Sequence, residues 1–362
     1  MNYNARRKLI IGGVVAVSLL LTAPSVRAQD QETSALSSLE DWQREELQSL
    51  VEVVGAALRG QLVEEVEKPF VFNPGFLQGA EGNTYVPFTL TFEPGTVTAS
   101  TLAAYIFVTE HVDQAPVTPE TPDNTETEDN AAEAELPDAI FEEGYFPNVN
   151  PTPAEPLHLS LAFAAPGGTY DIYLALRDSS GGAAAEDSQA TAKVMMLHEE
   201  LTIPDLWGEF QTSTVIVTDV VEPLTAPMTP DQRMLYPYSI GGVRIEPKHD
   251  LSFGKQEELS LVFLVYNPGV QDASKPDVTI EYTFHQRTAD GEEFFNDTNP
   301  QQFNGQTLPP GFDVTMGHPI IAGQVVPLTL FPAGDFRLEI AIVDNTSGSV
   351  ETRDVNFTVE ET

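Results

Sequence analysis

The chain has 362 residues and no cysteine, and its 17 Lys and Arg stand against 55 Asp and Glu, a formal net charge of −38. Without cysteine there are no disulfides, no thiolate nucleophile and no Cys-ligated zinc or iron–sulfur centre. So acidic a surface repels phosphate backbones and anionic lipid, which sets aside nucleic acid as a partner and leaves an unidentified protein or envelope component.

Residues 1–28 have the order of a secretory signal. Arg6, Arg7 and Lys8 form a positive start, Leu9 to Leu21 is an apolar run broken only by Gly12, Gly13 and Ser18, and Ala28 is the small residue before a cut. The apolar run is shorter than the ~20 residues a spanning helix needs, so no transmembrane segment is expected in the mature chain. The segment carries four basic residues and no acidic one, so its removal takes the net charge to −42. The expected location is exported, periplasmic or extracellular.

Next comes an amphipathic helix, expected over 37–66. Ser37-Ser38-Leu39-Glu40-Asp41 offers a cap with an acid three residues on. Leu39, Trp42, Leu47, Leu50, Val51, Val54, Leu58 and Leu62 recur mostly at helical spacing. Such an apolar stripe must be covered, by the chain's own first sandwich, by a second copy or by another protein.

From Pro69 the pattern turns to short alternating runs separated by Pro and Gly, which predicts an all-β fold. It occurs twice. Tyr85-Val86-Pro87-Phe88-Thr89-Leu90-Thr91-Phe92-Glu93-Pro94-Gly95 is echoed at 259–269, where an aromatic, one spacer and Pro268-Gly269 close the strand. Pro166-Gly167-Gly168-Thr169-Tyr170 and the strand to Asp178 are echoed by Pro332-Ala333-Gly334-Asp335-Phe336 and the strand to Asp344. Two ordered matches at similar offsets predict a duplication. An aromatic after a Pro-x-Gly turn, a strand, a turn and a closing strand suits the last hairpin of an immunoglobulin-like sandwich, with Tyr170 and Phe336 facing the core.

The expected architecture is therefore two tandem immunoglobulin-like β-sandwich domains, 69–200 and 238–360, joined by a connector over 201–237. Each has a long interruption. The first contains Glu110–Glu143, with twelve acids, no Lys or Arg and prolines at 116, 119, 122 and 137, and is expected to be a disordered acidic insert over 110–143. The second, about 286–323, is rich in Asn, Gln, Pro and Gly.

The second copy and its approach carry a further texture: Tyr238-Ser239-Ile240-Gly241-Gly242-Val243-Arg244-Ile245-Glu246-Pro247, then Leu261 to Asn267, Phe294-Phe295-Asn296-Asp297-Thr298-Asn299-Pro300-Gln301-Gln302-Phe303 and Pro332 to Leu338. It resembles the β-sandwich regions of uncharacterised bacterial secreted proteins that accompany GWxTD-type domains. The Gly-Trp-x-Thr-Asp signature itself is absent; Trp207 stands in Leu206-Trp207-Gly208-Glu209. The resemblance covers about 201–359 and implies a fold, with no catalytic residue to transfer.

No constellation of catalytic spacing is present. His198-Glu199-Glu200-Leu201-Thr202 begins like a zinc-protease helix but has Thr in place of the second His, and it ends a predicted strand. Asp290-Gly291 is explained as a hairpin turn without calcium. The sequence thus yields no catalytic, cofactor-binding or metal residue. It points to a non-catalytic exported module, structural or partner-binding. The alternative is an accessory or carbohydrate-active domain of an extracytoplasmic hydrolase.

Overall fold

The computed structural model describes residues 16–17, 39–61, 70–112, 137–179, 194–224, 236–239, 243–270 and 275–361. These form an all-β fold of sandwich-like sheets with one α-helix. The first elements are β1 (Ala16–Val17), α1 (Asp41–Leu58), β2 (Phe70–Pro74), β3 (Leu77–Gln78), β4 (Thr84–Phe92), β5 (Leu102–Glu110), β6 (Ala139–Tyr145), β7 (Leu157–Ala165), β8 (Gly168–Asp178) and β9 (Val194–Ile203). After them come β10 (Gln211–Thr212), β11 (Ile216–Pro223), β12 (Val243–Pro247), β13 (Ser252–Gly254), β14 (Glu258–Tyr266), β15 (Val278–Thr288), β16 (Gly291–Asp297), β17 (Gln301–Phe303), β18 (Ile320–Pro327), β19 (Gly334–Asp344) and β20 (Val350–Glu360).

Two compact units result. One takes Met1–Phe72, Leu90–Leu159 and Gly168–Ile203; the other takes Asn73–Thr89, Ser160–Gly167 and Pro204–Thr362. In the first, β6, β5, β8 and β9 lie side by side in that order, with β1 beside β6. In the second, β13, β20, β19, β15 and β16 form one sheet, while β14 pairs with β10, β11 and β18 in another.

The predicted echoes fall on matching strands. β4 and β14 have nine residues each and stand 174 apart at both ends; β8 and β19 have eleven each and stand 166 apart at both ends. Their neighbours match too: β8 lies between β5 and β9 as β19 lies between β15 and β20, and β4 pairs with β7 as β14 pairs with β18. Tyr170 and Phe336 are each the third residue of their strand and both are buried. Each strand also ends in an acid that holds the loop after a Pro-Gly turn. Asp178 Oδ2 accepts from Thr98 N at 3.0 Å and Thr98 Oγ1 at 2.6 Å, and Asp344 Oδ2 accepts from Gly269 N at 2.8 Å.

The helix is shorter than 37–66. Its cap is Glu40, whose N–H donates to Gln43 Oε1 at 2.9 Å, so it starts at Asp41 rather than beside Ser37. It ends at Leu58 because Gly60, at φ +66°, turns the chain out of the helical region. Residues 62–66 lie outside the described residues. Leu47, Leu50 and Val54 are buried against Ala103, Tyr105, Phe107, Tyr173 and Ala175, so the stripe is covered by its own unit. That covering explains why Leu102–Thr109 is buried without a break: alternate residues face the sandwich core and the helix. On β15 no helix covers the outer face among the described residues. Val278, Ile280, Tyr282 and Phe284 are buried, and the residues between them are not.

Three expectations need correction. The acidic insert does not reach 143: residues 139–143 belong to β6, because Phe141, Gly144 and Tyr145 supply the sheet positions that local acid content hides. Its Glu142 is buried and accepts from Tyr105 Oη at 2.5 Å. The span 113–136 lies outside the described residues. The second interruption, about 286–323, contains β16 and β17 and a 3-10 turn at Val314–Met316. The turn of the β15–β16 hairpin falls on Ala289-Asp290, one residue before the expected Asp290-Gly291, and Gly291, at φ +127°, opens β16 opposite Thr288.

Candidate functional site

The outer face of the β5–β8–β9 sheet changes character beyond the helix. Cross-strand register sets Phe107, Tyr173 and His198 in one row, and Thr109, Asp171 and Glu200 in the next. His111, whose N–H bonds Thr169 O at 3.0 Å, extends the face by another row. Strand alternation thus gathers residues far apart in sequence onto one surface.

Asp171 is the centre of this group. Its Oδ2 lies 3.0 Å from His111 Nδ1 and its Oδ1 2.8 Å from His198 Nε2, so one carboxylate orients two imidazoles. His111 Nε2 faces Glu200 Oε2 at 3.7 Å. The His198 ring stacks on Tyr173, 4.3 Å between centroids and 3° between planes. Tyr173 is buried among the residues under the helix, and burial, with the Asp171 charge beside it, pushes its phenol pKa up. The aromatic row therefore fixes His198, and His198 fixes Asp171. Among the described residues no three His, Asp or Glu side chains converge as a metal cage.

The matching face of the second unit carries different chemistry at the same strand positions. Arg337, 166 residues after Asp171, donates to Glu292 at 2.9 Å, Glu339 at 2.9 Å and Asp354 at 2.7 Å. Arg287 reaches Glu292 at 3.1 Å and Asn356 at 2.7 Å. The bonds from Glu339 and Asp354 push the Arg337 pKa further up, and those from Arg287 and Arg337 hold the Glu292 carboxyl below its usual range. This is a cross-strand ladder on a solvated face.

The third feature is β18. It pairs with β14 from Glu258↔Pro327 to Val265↔Ile320, and among the described residues no other strand pairs with it. Ile320, Ala322 and Val326 face the core, whereas Ile321 and Val325 are 49% and 55% exposed. Gln301 Nε2 caps the middle of the strand, donating to Gly323 O at 2.8 Å.

The remaining histidines are dispersed. His158 Nδ1 meets Thr91 Oγ1 at 3.0 Å, His285 lies 3.8 Å from Glu339 and His318 Nδ1 accepts from Asp313 N at 3.1 Å. His198 and Glu200, set aside as a zinc-protease fragment, share a face of β9, and the second imidazole comes from His111 on the far side of β8. No spacing in the sequence announces that meeting. Phe294 is 65% exposed on β16, while its neighbour Phe295 packs on Phe331 and Phe336, so these two do not make an aromatic platform.

No protein-family model matches the chain, and no curated protein matches it in sequence. Among solved structures there are distant likenesses. Red sea bream transglutaminase is 7% identical over 93% of this chain and 34% of its own, with a TM-score of 0.22. Native Escherichia coli alpha-2-macroglobulin is 10% identical over 82% and 16%, at 0.20. Bacteroides uniformis β-glucuronidase is 9% identical over 76% and 26%, at 0.24. The chain spans about a third or less of the length of these proteins, and nothing about its activity follows from them.

Proposed function

We propose that this chain is a non-catalytic exported module that binds a partner protein, built on two copies of an immunoglobulin-like sandwich at about 69–200 and 238–360. The matching strand lengths, offsets and pairings support the duplication. The order of charge, apolar run and small residue in 1–28 supports export.

The observation that carries the binding role is the β18 edge. Unpaired strand edges with exposed apolar side chains are what globular proteins ordinarily blunt with charge, proline or a bulge. Here residues 320–326 are uncharged, and Ile321 and Val325 point outward. An extended segment added alongside would gain main-chain hydrogen bonds and cover both side chains. A second copy is a poor occupant, because two mature chains of net charge −42 repel. The occupant is an extended, basic or neutral segment of a different protein.

A photo-crosslinking amino acid at Val325 in the native host tests this. A discrete crosslinked protein is expected, lost when Ile321→Lys is added and absent when the crosslinker stands at Glu360. Crosslinking to a second copy, or no crosslink above the Glu360 control, would refute the edge as the binding surface.

A further inference from the structure

We propose that the β18 edge selects an extended segment with an aromatic residue at its centre, seated over Gly323 between Ile321, Val325 and Val262. This names the partner's chemistry and rests on the reading of β18 as the partner-binding edge.

The main-chain groups on offer follow from the pairing with β14. Leu264 stands opposite Ile321, and both its main-chain groups are used on the side away from β18. Ser213 N donates to Leu264 O at 2.9 Å, and Leu264 N donates to Ser213 Oγ at 2.9 Å. In an antiparallel pair, opposed residues turn their N–H and C=O toward or away from each other together, and the sense alternates along the strand. Ile321, Gly323 and Val325 therefore present theirs to the free edge. The bond from Gln301 Nε2 to Gly323 O, at 2.8 Å, agrees with this. A side-chain amide thus stands where the N–H of an added strand would donate. The incoming segment replaces it, and Gln301 Nε2 keeps its bond to Gln324 Oε1 at 2.7 Å.

The side chains of the same three positions share the outer face, because strand positions alternate. Ile321 and Val325 are about 13 Å apart along the strand, and Gly323 leaves the space between them without a side chain. Across the strand pair Gly323 faces Val262, which is only partly buried. The result is a notch with an apolar side chain at each end, another along its inner side and main chain for its floor. A ring opposite Gly323 reaches both ends, since diagonal neighbours about 7–8 Å away are within range of an aromatic side chain. A cross-strand aromatic laid over an edge glycine is a pairing that sheets use. A small side chain there would leave Ile321 and Val325 wet, and a charged one would find no opposite charge within 320–326.

The test titrates the full mature chain with synthetic seven-residue peptides, lysine at both ends, threonine on the inner flanks and either tyrosine or alanine at the centre. Backbone amide resonances and fluorescence polarisation follow the binding. The tyrosine peptide is expected to shift the amides of Ile321, Gly323 and Val325 and to show ring-to-methyl Overhauser contacts with Val262, Ile321 and Val325. It should bind about tenfold tighter than the alanine peptide, the sum of three cross-strand contacts of ordinary size. Gly323→Val fills the notch and should bring the two peptides to equal affinity. A Cβ at 323 would stand 3.1 Å from Leu261 O, so a second variant is needed that leaves the backbone alone. Ile321→Ser, at an exposed position, removes one contact and should cut the preference about twofold. Equal affinity of the two peptides for the parent chain, with both shifting the three amides, would overturn the central aromatic and leave the edge as the binding surface. If neither peptide moves those amides, both readings fall.

Discussion

Gly144 lies directly against Leu47 of the helix in the first unit, and adding one methyl there should unseat α1. A Cβ at 144 would stand 2.5 Å from Leu47 Cδ2, 2.9 Å from Cδ1 and 3.3 Å from Cγ. Leu47 is 2% exposed, so its branched end has little free space in which to turn away. Overpacking of this kind costs about 1–3 kcal/mol. Leu47→Ala alone empties the same space and should cost about 2–5 kcal/mol. The two changes are not independent, because the new methyl occupies part of the volume the leucine leaves. The double variant should therefore be more stable than the sum of the single losses by at least about 0.5 kcal/mol. Urea unfolding followed by Trp42 emission measures this, since Trp42 lies edge-on to Phe146 at 5.4 Å and reports the seat of the helix. Strict additivity, or a Gly144→Ala variant as stable as the parent, would show that Leu47 and Gly144 do not meet as described.

Three other outcomes are expected. Phe336→Ala and Tyr170→Ala should each destabilise by about 3–5 kcal/mol, measured by denaturant midpoint, since both rings are buried and Phe336 also meets Phe295, Phe331 and Phe357. Glu292 has its folded pKa lowered by Arg287 and Arg337, so what it contributes is present above its unfolded value near 4.5 and lost as pH falls through and below it. Urea midpoints of Glu292→Gln and parent should differ at pH 7 and converge at low pH; an equal gap at both would contradict the ladder. N-terminal sequencing of the exported protein should begin at or near Gln29, and an intact Met1 would refute the signal.

Strand existence and the echoed strand pairs were legible because turn chemistry and alternation are local properties. The Pro94-Gly95 and Pro268-Gly269 turns each close a nine-residue strand. The run Leu102-Ala103-Ala104-Tyr105-Ile106-Phe107-Val108, apolar at every position, held the information that this strand is covered on both faces. It needed the amphipathic helix to be read with it. β6 was hidden because a stretch dominated by acid masks a strand of seven residues, one of whose carboxylates is buried on a tyrosine. The His111–Asp171–His198 group was hidden for another reason. His111 and Asp171 are 60 residues apart, and their meeting depends on the β5–β8 register, which no local pattern encodes.

The two covers given to equivalent sheet faces respond in opposite ways to the medium. A face sealed by leucine and valine relies on water exclusion, which excluded salts strengthen. A face tied by Arg337 and Arg287 relies on charges at the surface, whose attraction fades as the Debye length shrinks toward about 3 Å in molar salt. In brine the first face would grip harder while the second loosened, so a rise in salinity would redistribute rigidity along a chain whose two units carry strands of matching length and pairing.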